Sequence, residues 1–359
     1  MPLKVLVVVS SDARRGAEIE GSQLADQLCA LGHDARCVAL RSVPGGALPL
    51  EVLGSSRFAW RTLRRLRSQA KAHDVVLAYG SDTLPACAIA LLGAGVPFVY
   101  RSIGDPARWL RGRGHRVRTG WFFRRAAHVV ALWPRAADDI VQLYGVSAQR
   151  ISCLPNARPQ CAGGPNREVA RLELGLPAAG AVVALVGSLA AEKRPLLAVE
   201  SAALAGPVHL LVVGDGPLAR QVGELCAELL PGRFTLLGVQ QSLANVWAAC
   251  DLVLLTSATE GMPGVLIEAQ LAGVPVVASD VGAVPLVVAD ERTGRMVSAE
   301  SSAADVAAAI TGVLADHANM SRAAPEHAQQ FTWPYVAPEW VELLSRCRDA
   351  ASARRRGRV

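Results

Sequence analysis

Residues 251–279 contain two apolar runs separated by one amphipathic segment. The runs cover residues 251–256 and 274–278, and the segment between them, residues 264–272, is followed by Gly273. Short apolar runs on both sides of one helical segment are typical of two buried parallel strands joined by a crossover helix. Pro263 marks the start of that helix, where a missing N–H costs nothing, and Gly273 marks its end. The stretch therefore predicts a parallel βαβ unit.

The start of this helix is a candidate anion site. The amides of Gly264, Val265 and Leu266 should point out of the helix toward an anion. Glu260 precedes them and Glu268 lies about two turns further on, on roughly the same side. Carboxylates accept hydrogen bonds from sugar hydroxyls, but acids on a helix surface are also common without a ligand. On these residues alone, both a sugar-phosphate site and a solvated helix stay open.

Three short motifs lie in and after this unit. They read Glu-Gly-Met-Pro-Gly at residues 260–264, Ile-Glu-Ala at 267–269 and Gly-Val-Pro-Val-Val-Ala-Ser-Asp-Val-Gly at 273–282. Together they closely resemble the nucleotide-sugar signature of the retaining family 4 glycosyltransferases, which have the GT-B fold. The resemblance implies that Glu260 faces the transferred sugar and that Glu268 binds the ribose of the nucleotide.

Two glycine-containing loops precede this unit. Residues 186–194, VGSLAAEKR, combine a glycine turn with a cation near a helix start, which suits a diphosphate. The family usually has Arg and Lys on the diphosphate. Here Ser188 replaces that Arg, so Lys193 is the matched residue and Arg194 an unmatched substitute. A Lys-Arg pair at a helix start is also common as a solvated feature, and the glycines of residues 213–217 can equally serve only a tight turn.

The resemblance implies a donor site with two kinds of residue. Catalytic roles fall on Glu260 and Lys193. Donor or nucleotide contacts are implied for Gly16, Gly187, Ser188, Arg194, Gly214, Gly216, Leu237, Gly238, Gly261, Met262, Pro263, Gly264, Val265 and Glu268.

The N-terminal half also alternates strands and helices. Strands are predicted at residues 3–9, 33–40, 75–79, 97–101, 128–132 and 150–154. The first βαβ unit contains no G-x-G-x-x-G, which argues against a dehydrogenase. Its loop instead resembles the amino-terminal segment of the same glycosyltransferases, in which Gly16 approaches the donor closely.

The strand end at residues 97–105 departs from the family pattern. Many relatives have a His there against the donor sugar, and Ile103 falls at about that position. Arg101 and Asp105 are the neighbouring polar side chains, and they are the acceptor-side candidates. The departures at Ile103 and Ser188 leave open a different handling of the donor or a loss of activity.

The predicted fold class is α/β, with two doubly wound, Rossmann-like parallel-sheet domains facing a cleft, as in GT-B architecture. The second domain has predicted strands at 181–186, 208–213, 234–236, 251–256 and 274–278. The domains cover residues 1–157, on the acceptor side, and 168–330, on the nucleotide-sugar side. Residues 158–167 form a Pro- and Gly-rich linker. Residues 331–347 form a helix that crosses back to the first domain. Residues 348–359 form a basic tail, in which residues 354–356 are expected to be solvated and disordered.

Composition and charge constrain the surroundings of this fold. The chain has 359 residues, a net charge of +6 and eight cysteines without a C-x-x-C pair, so buried free thiols are expected. No apolar run is long enough to span a membrane, and a cytoplasmic location is expected. Arginines are dense in residues 57–67 and 101–125. If residues 57–67 form an interfacial helix, Trp60, Leu63 and Leu66 face one side. Alternatively, that side packs on the sheet.

The leading functional hypothesis is a retaining glycosyltransferase that moves a sugar from a nucleoside diphosphate sugar to a hydroxyl acceptor. No cofactor and no metal are expected, because the sequence has no Asp-x-Asp motif and no metal-ligand spacing. The expected acceptor is anionic or lipid-linked, with peripheral contact at the inner membrane face, and no nucleic-acid module is present. The alternatives are a sugar-nucleotide isomerase of the same fold and a catalytically silent nucleotide-binding scaffold.

Overall fold

The computed structural model of this protein describes residues 2–46, 48–109, 112–160 and 164–356. The chain divides into two compact units, one made of Met1–Ala157 with Trp333–Val359 and the other of Arg158–Thr332. Residues 161–163 of the predicted linker, Arg111 of the arginine-rich stretch and residues 357–359 of the predicted tail lie outside the described residues.

The first unit is built on a sheet of seven parallel strands within the described residues. The strands are β1 (Lys4–Ser11), β2 (Asp34–Arg41), β3 (Glu51–Gly54), β4 (Val75–Tyr79), β5 (Phe98–Arg101), β6 (His128–Ala131) and β7 (Ile151–Cys153). The helices are α1 (Gly16–Ala30), α2 (Trp60–Ala70), α3 (Thr83–Ala90), α4 (Arg113–Arg125) and α5 (Pro134–Tyr144).

The strand order of the first sheet is β3-β2-β1-β4-β5-β6-β7. β1 pairs in parallel with β2 on one side and with β4 on the other, so the order reverses between β1 and β4. Residues 5–9 of β1 are fully buried, as expected for a strand covered by helices on both faces. A doubly wound sheet binds ligands where the order reverses, outside the carboxyl ends of its strands.

The last helix completes the first unit. It covers Trp333–Arg356, and its residues Trp340 and Leu344 are fully buried in the core formed with β1, β4 and α1. We label it α14, because eight helices of the second unit come before it in the chain. The predicted disorder of Arg354, Arg355 and Arg356 is wrong, because the helix continues to Arg356. Arg354, Arg355 and Arg356 are exposed along it, and Arg355 donates to the carbonyl of Gly95.

The second unit contains a sheet of six parallel strands among its described residues. The strands are β8 (Ala181–Val186), β9 (Val208–Val213), β10 (Phe234–Gly238), β11 (Leu252–Leu255), β12 (Val276–Ser279) and β13 (Gly294–Val297). The helices are α6 (Arg167–Glu173), α7 (Pro195–Leu204), α8 (Ala219–Leu229), α9 (Ala244–Ala249), α10 (Gly264–Leu271), α11 (Val284–Val287), α12 (Ala303–Ala315) and α13 (His317–Ala328).

The strand order of the second sheet is β10-β9-β8-β11-β12-β13, and it reverses between β8 and β11. The βαβ unit of residues 251–279 is present as β11, α10 and β12, and β11 pairs in parallel with β12. Pro263 is the residue before the first helical residue, one position earlier than predicted. The loops after β8 and β11 therefore lie side by side at the carboxyl edge, where the predicted donor residues are concentrated.

Candidate functional site

Two glycine loops are packed against each other at the carboxyl edge of the second sheet. A Cβ on Gly214 would lie 1.9 Å from the carbonyl oxygen of Gly187, and one on Gly216 would lie 2.6 Å from that of Leu189. Gly214 also has a φ of 132°, which side-chain-bearing residues rarely adopt. The structure thus gives Gly214 and Gly216 a packing function, whereas Gly187 and Ser188 are exposed at the edge.

Lys193 and Glu260 form an ion pair between the loops after β8 and β11. Lys193 Nζ donates to Glu260 Oε1 at 2.5 Å, and the hydroxyl of Ser257 donates to the same oxygen at 2.6 Å. The Glu260 side chain is 9% exposed and that of Lys193 is 29% exposed. An ammonium group has three donors, so Lys193 can hold Glu260 and bind an anion at the same time.

The guanidinium group of Arg194 is bound to the protein itself. Its Nε donates to the carbonyl of Thr256 at 2.7 Å and its Nη1 to that of Ala299 at 2.6 Å. Its Nη2 contacts the carbonyl of Ser257 and the hydroxyl of Ser279, each at 3.3 Å. These bonds join three loops of the second unit. Arg194 therefore has a structural function here, in place of the predicted contact with the donor.

The amino-terminal end of α10 differs from the prediction in one respect. The amide of Leu266 donates to the carbonyl of Pro263 at 3.2 Å, so it is engaged within the helix start. Gly264 and Val265 are half-buried there, and Met262 and Pro263 are buried beneath them. The loop is supported from β12, because Ala283 N–H donates to the carbonyl of Gly261 at 2.8 Å.

Glu268 has a partner that the sequence analysis did not identify. Arg158 Nε donates to Glu268 Oε1 at 2.7 Å, and the two side chains are 13% and 33% exposed. Arg158 stands in the segment predicted as a linker, and no motif or spacing singles it out. Its backbone is fixed where its amide donates to the carbonyl of Phe331 at 2.8 Å.

The base-side residues lie at the end of β10. Leu237 is half-buried and Gly238 is exposed, and the carbonyl of Gly238 accepts the amide of Gly214 at 2.8 Å. The loop after β10 therefore adjoins the glycine loop after β9, and the nucleotide contacts of Leu237 and Gly238 stay a prediction.

The acceptor-side candidates of the first unit have different surroundings. Arg101 is fully buried, and it donates to the carbonyl of Leu154 at 2.6 Å and to Asn156 Oδ1 at 3.0 Å. Glu20 lies 3.8 Å from it. Arg101 is therefore part of the core, and the predicted acceptor contact is wrong. Asp105 is half-buried and accepts the amide of Ala107 at 2.9 Å.

The remaining predicted residue of the first unit is Gly16. It is the first residue of α1, directly after β1, and it is exposed with no atom within 4 Å of an added Cβ. Glu18, in the same first turn, is nearly buried, and this burial raises the pKa of its carboxyl group. The first turn of α1 thus presents open space and one carboxyl group at the carboxyl edge of the first sheet.

The two arginine-rich segments meet around a cavity of about 650 Å³ in the first unit. Its lining residues follow β3 and β4 in the chain and include residues of α3 and α4. Aromatic walls come from Phe58, Trp109 and Phe122, and polar groups come from Arg57, Ser81, Asp82, His115, Arg118 and Thr119. Arg57 is ion-paired with Asp82. A cavity with apolar walls and two arginines, one of them paired with Asp82, suits an anionic ligand with an apolar part.

Helix α2 does not expose the apolar face of Trp60, Leu63 and Leu66 that an interfacial helix would have. Leu66 is fully buried with Thr62 and Ala70, and it packs toward the sheet. Trp60 and Phe58 are 75% and 48% exposed, and Arg61 and Arg64 are exposed as well. The apolar stripe of α2 therefore belongs to the core, whereas Trp60 and arginines are exposed on the helix and Phe58 is exposed just before it.

Within residues 2–46, 48–109, 112–160 and 164–356, no helix is long and apolar enough to cross a bilayer. The same described residues contain no group of three or more His, Cys, Asp or Glu side chains that could hold a metal ion. Of the described cysteines, Cys29 and Cys153 are exposed, so the expectation of buried thiols is wrong for these two.

Two family models match this chain. The model described as Glycosyltransferase Family 4 matches residues 15–158, and the model described as Glycosyl transferases group 1 matches residues 180–316. The matches fall on the two structural units, one on each.

Curated relatives carry the name D-inositol 3-phosphate glycosyltransferase. The protein from Mycobacteroides abscessus is 38% identical over 222 residues, which are 58% of this chain and 49% of the relative. The protein from Nocardia farcinica is 31% identical over 350 residues, which are 91% of this chain and 72% of the relative. The chain thus spans about half the length of the first relative and more of the second.

Solved structures show the same fold. HepE of Anabaena in complex with UDP has a TM-score of 0.84 at 22% identity, covering 96% of this chain and 100% of that one. Sucrose-phosphate synthase from Thermosynechococcus elongatus has a TM-score of 0.79 at 20% identity, covering 97% and 100%. With the family models and the Nocardia relative, these likenesses lead to one conclusion: the chain belongs to the family 4 (group 1) glycosyltransferases and has their two-domain, Rossmann-like GT-B fold.

Proposed function

We propose that this protein transfers a sugar from a nucleoside diphosphate sugar to a hydroxyl acceptor, with retention of anomeric configuration and without a metal ion. The observation that carries the proposal is the Lys193–Glu260 pair at the strand-order reversal of the second sheet. It sets a cation for the diphosphate beside a carboxylate for the sugar hydroxyls. Solved GT-B neighbours contain UDP and UDP-glucose, which supports a donor of this class.

In the proposed reaction, the bond between the anomeric carbon and the β-phosphate oxygen breaks, and a bond to the acceptor oxygen forms on the same face. The acceptor proton passes to the departing phosphate. Lys193 and the amides at the start of α10 stabilise the charge that develops on the diphosphate. Glu260 orients the transferred sugar through its hydroxyl groups.

For the acceptor, we propose an anionic molecule bound at the cavity of the first unit. Its cationic and aromatic lining suits a phosphorylated acceptor, and the curated relatives are named for one, D-inositol 3-phosphate. Phe58 lines this cavity, and the exposed Trp60, Arg61 and Arg64 follow it in the chain. They extend this proposal to peripheral contact with an anionic membrane surface.

A thermal-shift panel of UDP-, GDP- and ADP-sugars tests the donor proposal, because a bound ligand raises Tm in proportion to ln(1 + [L]/Kd). We expect one donor class to raise Tm and to be turned over only when an acceptor is present. Turnover without an acceptor would favour the isomerase. Nucleotide binding without turnover, with phosphorylated inositols supplied as acceptors, would favour the silent scaffold.

Variants of the ion pair test the roles within the site. Lys193→Gln should weaken nucleoside diphosphate binding far more than nucleoside binding, because only the diphosphate presents charge to it. Glu260→Gln should lower kcat with a smaller change in diphosphate affinity, while Glu268→Gln should mainly weaken nucleotide binding. Arg220→Gln is the matched control, since Arg220 is 82% exposed on α8. Wild-type donor kinetics in both glutamate variants would refute the assigned roles.

A further inference from the structure

Two observations define the position of Arg158 at the start of α10. Its Nε donates to Glu268 at 2.7 Å, one helical turn into α10. A Cβ built on Gly264, the first residue of that helix, would lie 1.5 Å from Nη2 of Arg158 and 2.3 Å from Cζ. The guanidinium group therefore occupies the space directly over the first helical residue. A side chain at position 264 would require the guanidinium group to shift from this place.

The charge balance of the donor site makes this position significant. Lys193 is paired with Glu260, and the guanidinium group of Arg194 is bound to backbone carbonyls and a hydroxyl. The neutral partners of Arg194 leave its charge in place, but the Lys193 ammonium is paired with Glu260, and Glu268 needs a cation of its own. The two carboxylates repel a diphosphate, and Arg158 offsets the charge of Glu268 directly.

Arginine is also suited to both contacts at once. Its planar group offers five N–H donors in a fixed fork, so one edge can hold a carboxylate while another edge binds a phosphate. The α10 amino terminus adds the positive end of a helix dipole at the same place. The Arg158 side chain is 13% exposed, so water screens its charge only partly.

We propose that Arg158 is a donor-binding residue, which binds a phosphate group of the nucleoside diphosphate at the amino-terminal end of α10. This inference rests on the donor site proposed above and adds a cation to it. The glycine at position 264 then serves to admit the arginine, and the two residues function as a pair.

Calorimetric titration tests this inference with the best-binding of UDP, GDP and ADP, and with the matching nucleoside. Arg158→Gln should weaken diphosphate binding about tenfold or more, the effect of one charged hydrogen bond. Nucleoside binding should change by less than about threefold. Arg158→Lys keeps the charge without the fork and should retain part of the preference for the diphosphate. Arg220→Gln is the control and should bind as wild type does.

A second variant tests the pairing with Gly264. Gly264→Ala should displace the guanidinium group and reproduce the loss seen in Arg158→Gln, and the double variant should lose no more than either single one. Additive losses would overturn the pairing.

Equal losses for diphosphate and nucleoside would mean that Arg158 acts only through Glu268, and tighter diphosphate binding in Arg158→Gln would mean that it blocks the site. Either result overturns the inference and leaves the proposed function intact. A wild-type protein that binds none of the three diphosphates would instead refute the proposed function.

Discussion

At the scale of single residues, Arg101 illustrates the difference between a side chain near a site and one that holds the fold. It lies at the end of β5, where ligands of such sheets bind, but its guanidinium group points into the core. There it bonds to the carbonyl of Leu154 and to Asn156, and it lies 5.5 Å from the ring of Trp340. A sequence indicates that an arginine lies at the end of a strand. It does not indicate whether so long a side chain points toward a ligand or into the core.

Arg101→Met should lower the free energy of unfolding by about 3–5 kcal/mol, because it removes a buried cation next to Glu20, whose side chain is 4% exposed. Urea denaturation measures this change directly. The double variant with Glu20→Gln should recover part of the loss, since the carboxylate no longer needs a nearby cation. Equal stability of Arg101→Met and wild type would contradict the structural function of Arg101.

His128 gives a pH dependence of stability. Burial, followed by the charges of Arg346 and Arg150, lowers the pKa of its ring from 6.5 to about 4. Between pH 6.5 and about 4 the unfolded chain therefore binds more protons at this position than the folded chain. The contribution of His128 to the free energy of unfolding therefore falls as the pH falls through that window. The upper limit is about 1.4 kcal/mol per pH unit, and the actual change is smaller because the ring is only partly buried.

His128→Asn should flatten the stability profile across this window, because asparagine does not titrate. Urea titrations at pH 7, 6, 5 and 4 compare the two proteins. Parallel profiles for wild type and His128→Asn would show that His128 does not cause the loss.

The residues of the donor site were predictable to different degrees. Lys193 and Glu260 stand in motifs that follow two apolar runs, so their adjacency follows once the runs are placed as neighbouring strands. Arg158 was not predictable, because its place beside Glu268 depends on where the chain enters the second unit, 110 positions away in the sequence.

At the scale of elements, the strands were the most predictable part. Runs such as residues 4–9 and 181–186 are rich in Val and Leu, and every predicted strand is present. β3 and β13 were missed because each has four residues at a sheet edge and no continuous β-branched run. The end of α14 was misjudged because its arginines suggest a solvated tail, but exposed arginines are good helix formers.

The loops at the carboxyl edge depend on glycine for their packing. Gly214→Ala should place a methyl group against the carbonyl of Gly187 and force a strained φ, at a cost of about 2–3 kcal/mol or more. Because the loops move apart, nucleoside diphosphate affinity should fall as well. Gly232→Ala is the matched control, with a positive φ of 73° and open space, and it should cost only about 1–2 kcal/mol without affecting the ligand. Equal costs would show that the loops are not tightly packed.

At the scale of the whole molecule, the net charge of +6 divides unevenly: the first unit has 27 Lys and Arg against 14 Asp and Glu, whereas the second has 10 against 17. Arg57 and Arg118 line the cavity, and other arginines of α2 and α4 serve the fold: Arg67 donates to the carbonyl of Ala90 at 2.9 Å and Arg116 to that of Leu143 at 2.6 Å. Arg61, Arg64 and Arg118 are exposed. A surface of this kind attracts anions of any size, so charge alone does not distinguish a soluble phosphorylated acceptor from a membrane.

Sedimentation with vesicles makes that distinction. We expect the protein to bind vesicles rich in anionic lipid at low salt and to leave neutral vesicles unbound, because each basic residue near an anionic surface contributes about 1 kcal/mol. Binding should weaken as salt rises, since the Debye length shortens from about 30 Å at 0.01 M to about 10 Å at 0.1 M.

A triple variant, Trp60→Ser with Arg61→Gln and Arg64→Gln, should lose most of the binding, because it removes the exposed ring and two cations from α2. Arg220→Gln with Arg292→Gln is the matched control. Both arginines are exposed on the second unit, and their replacement also removes two positive charges. If wild type ignored lipid charge or failed to bind at low salt, membrane contact would be refuted. The cavity of the first unit would then be the place to seek a small, soluble, phosphorylated acceptor, because its cations would serve that ligand alone.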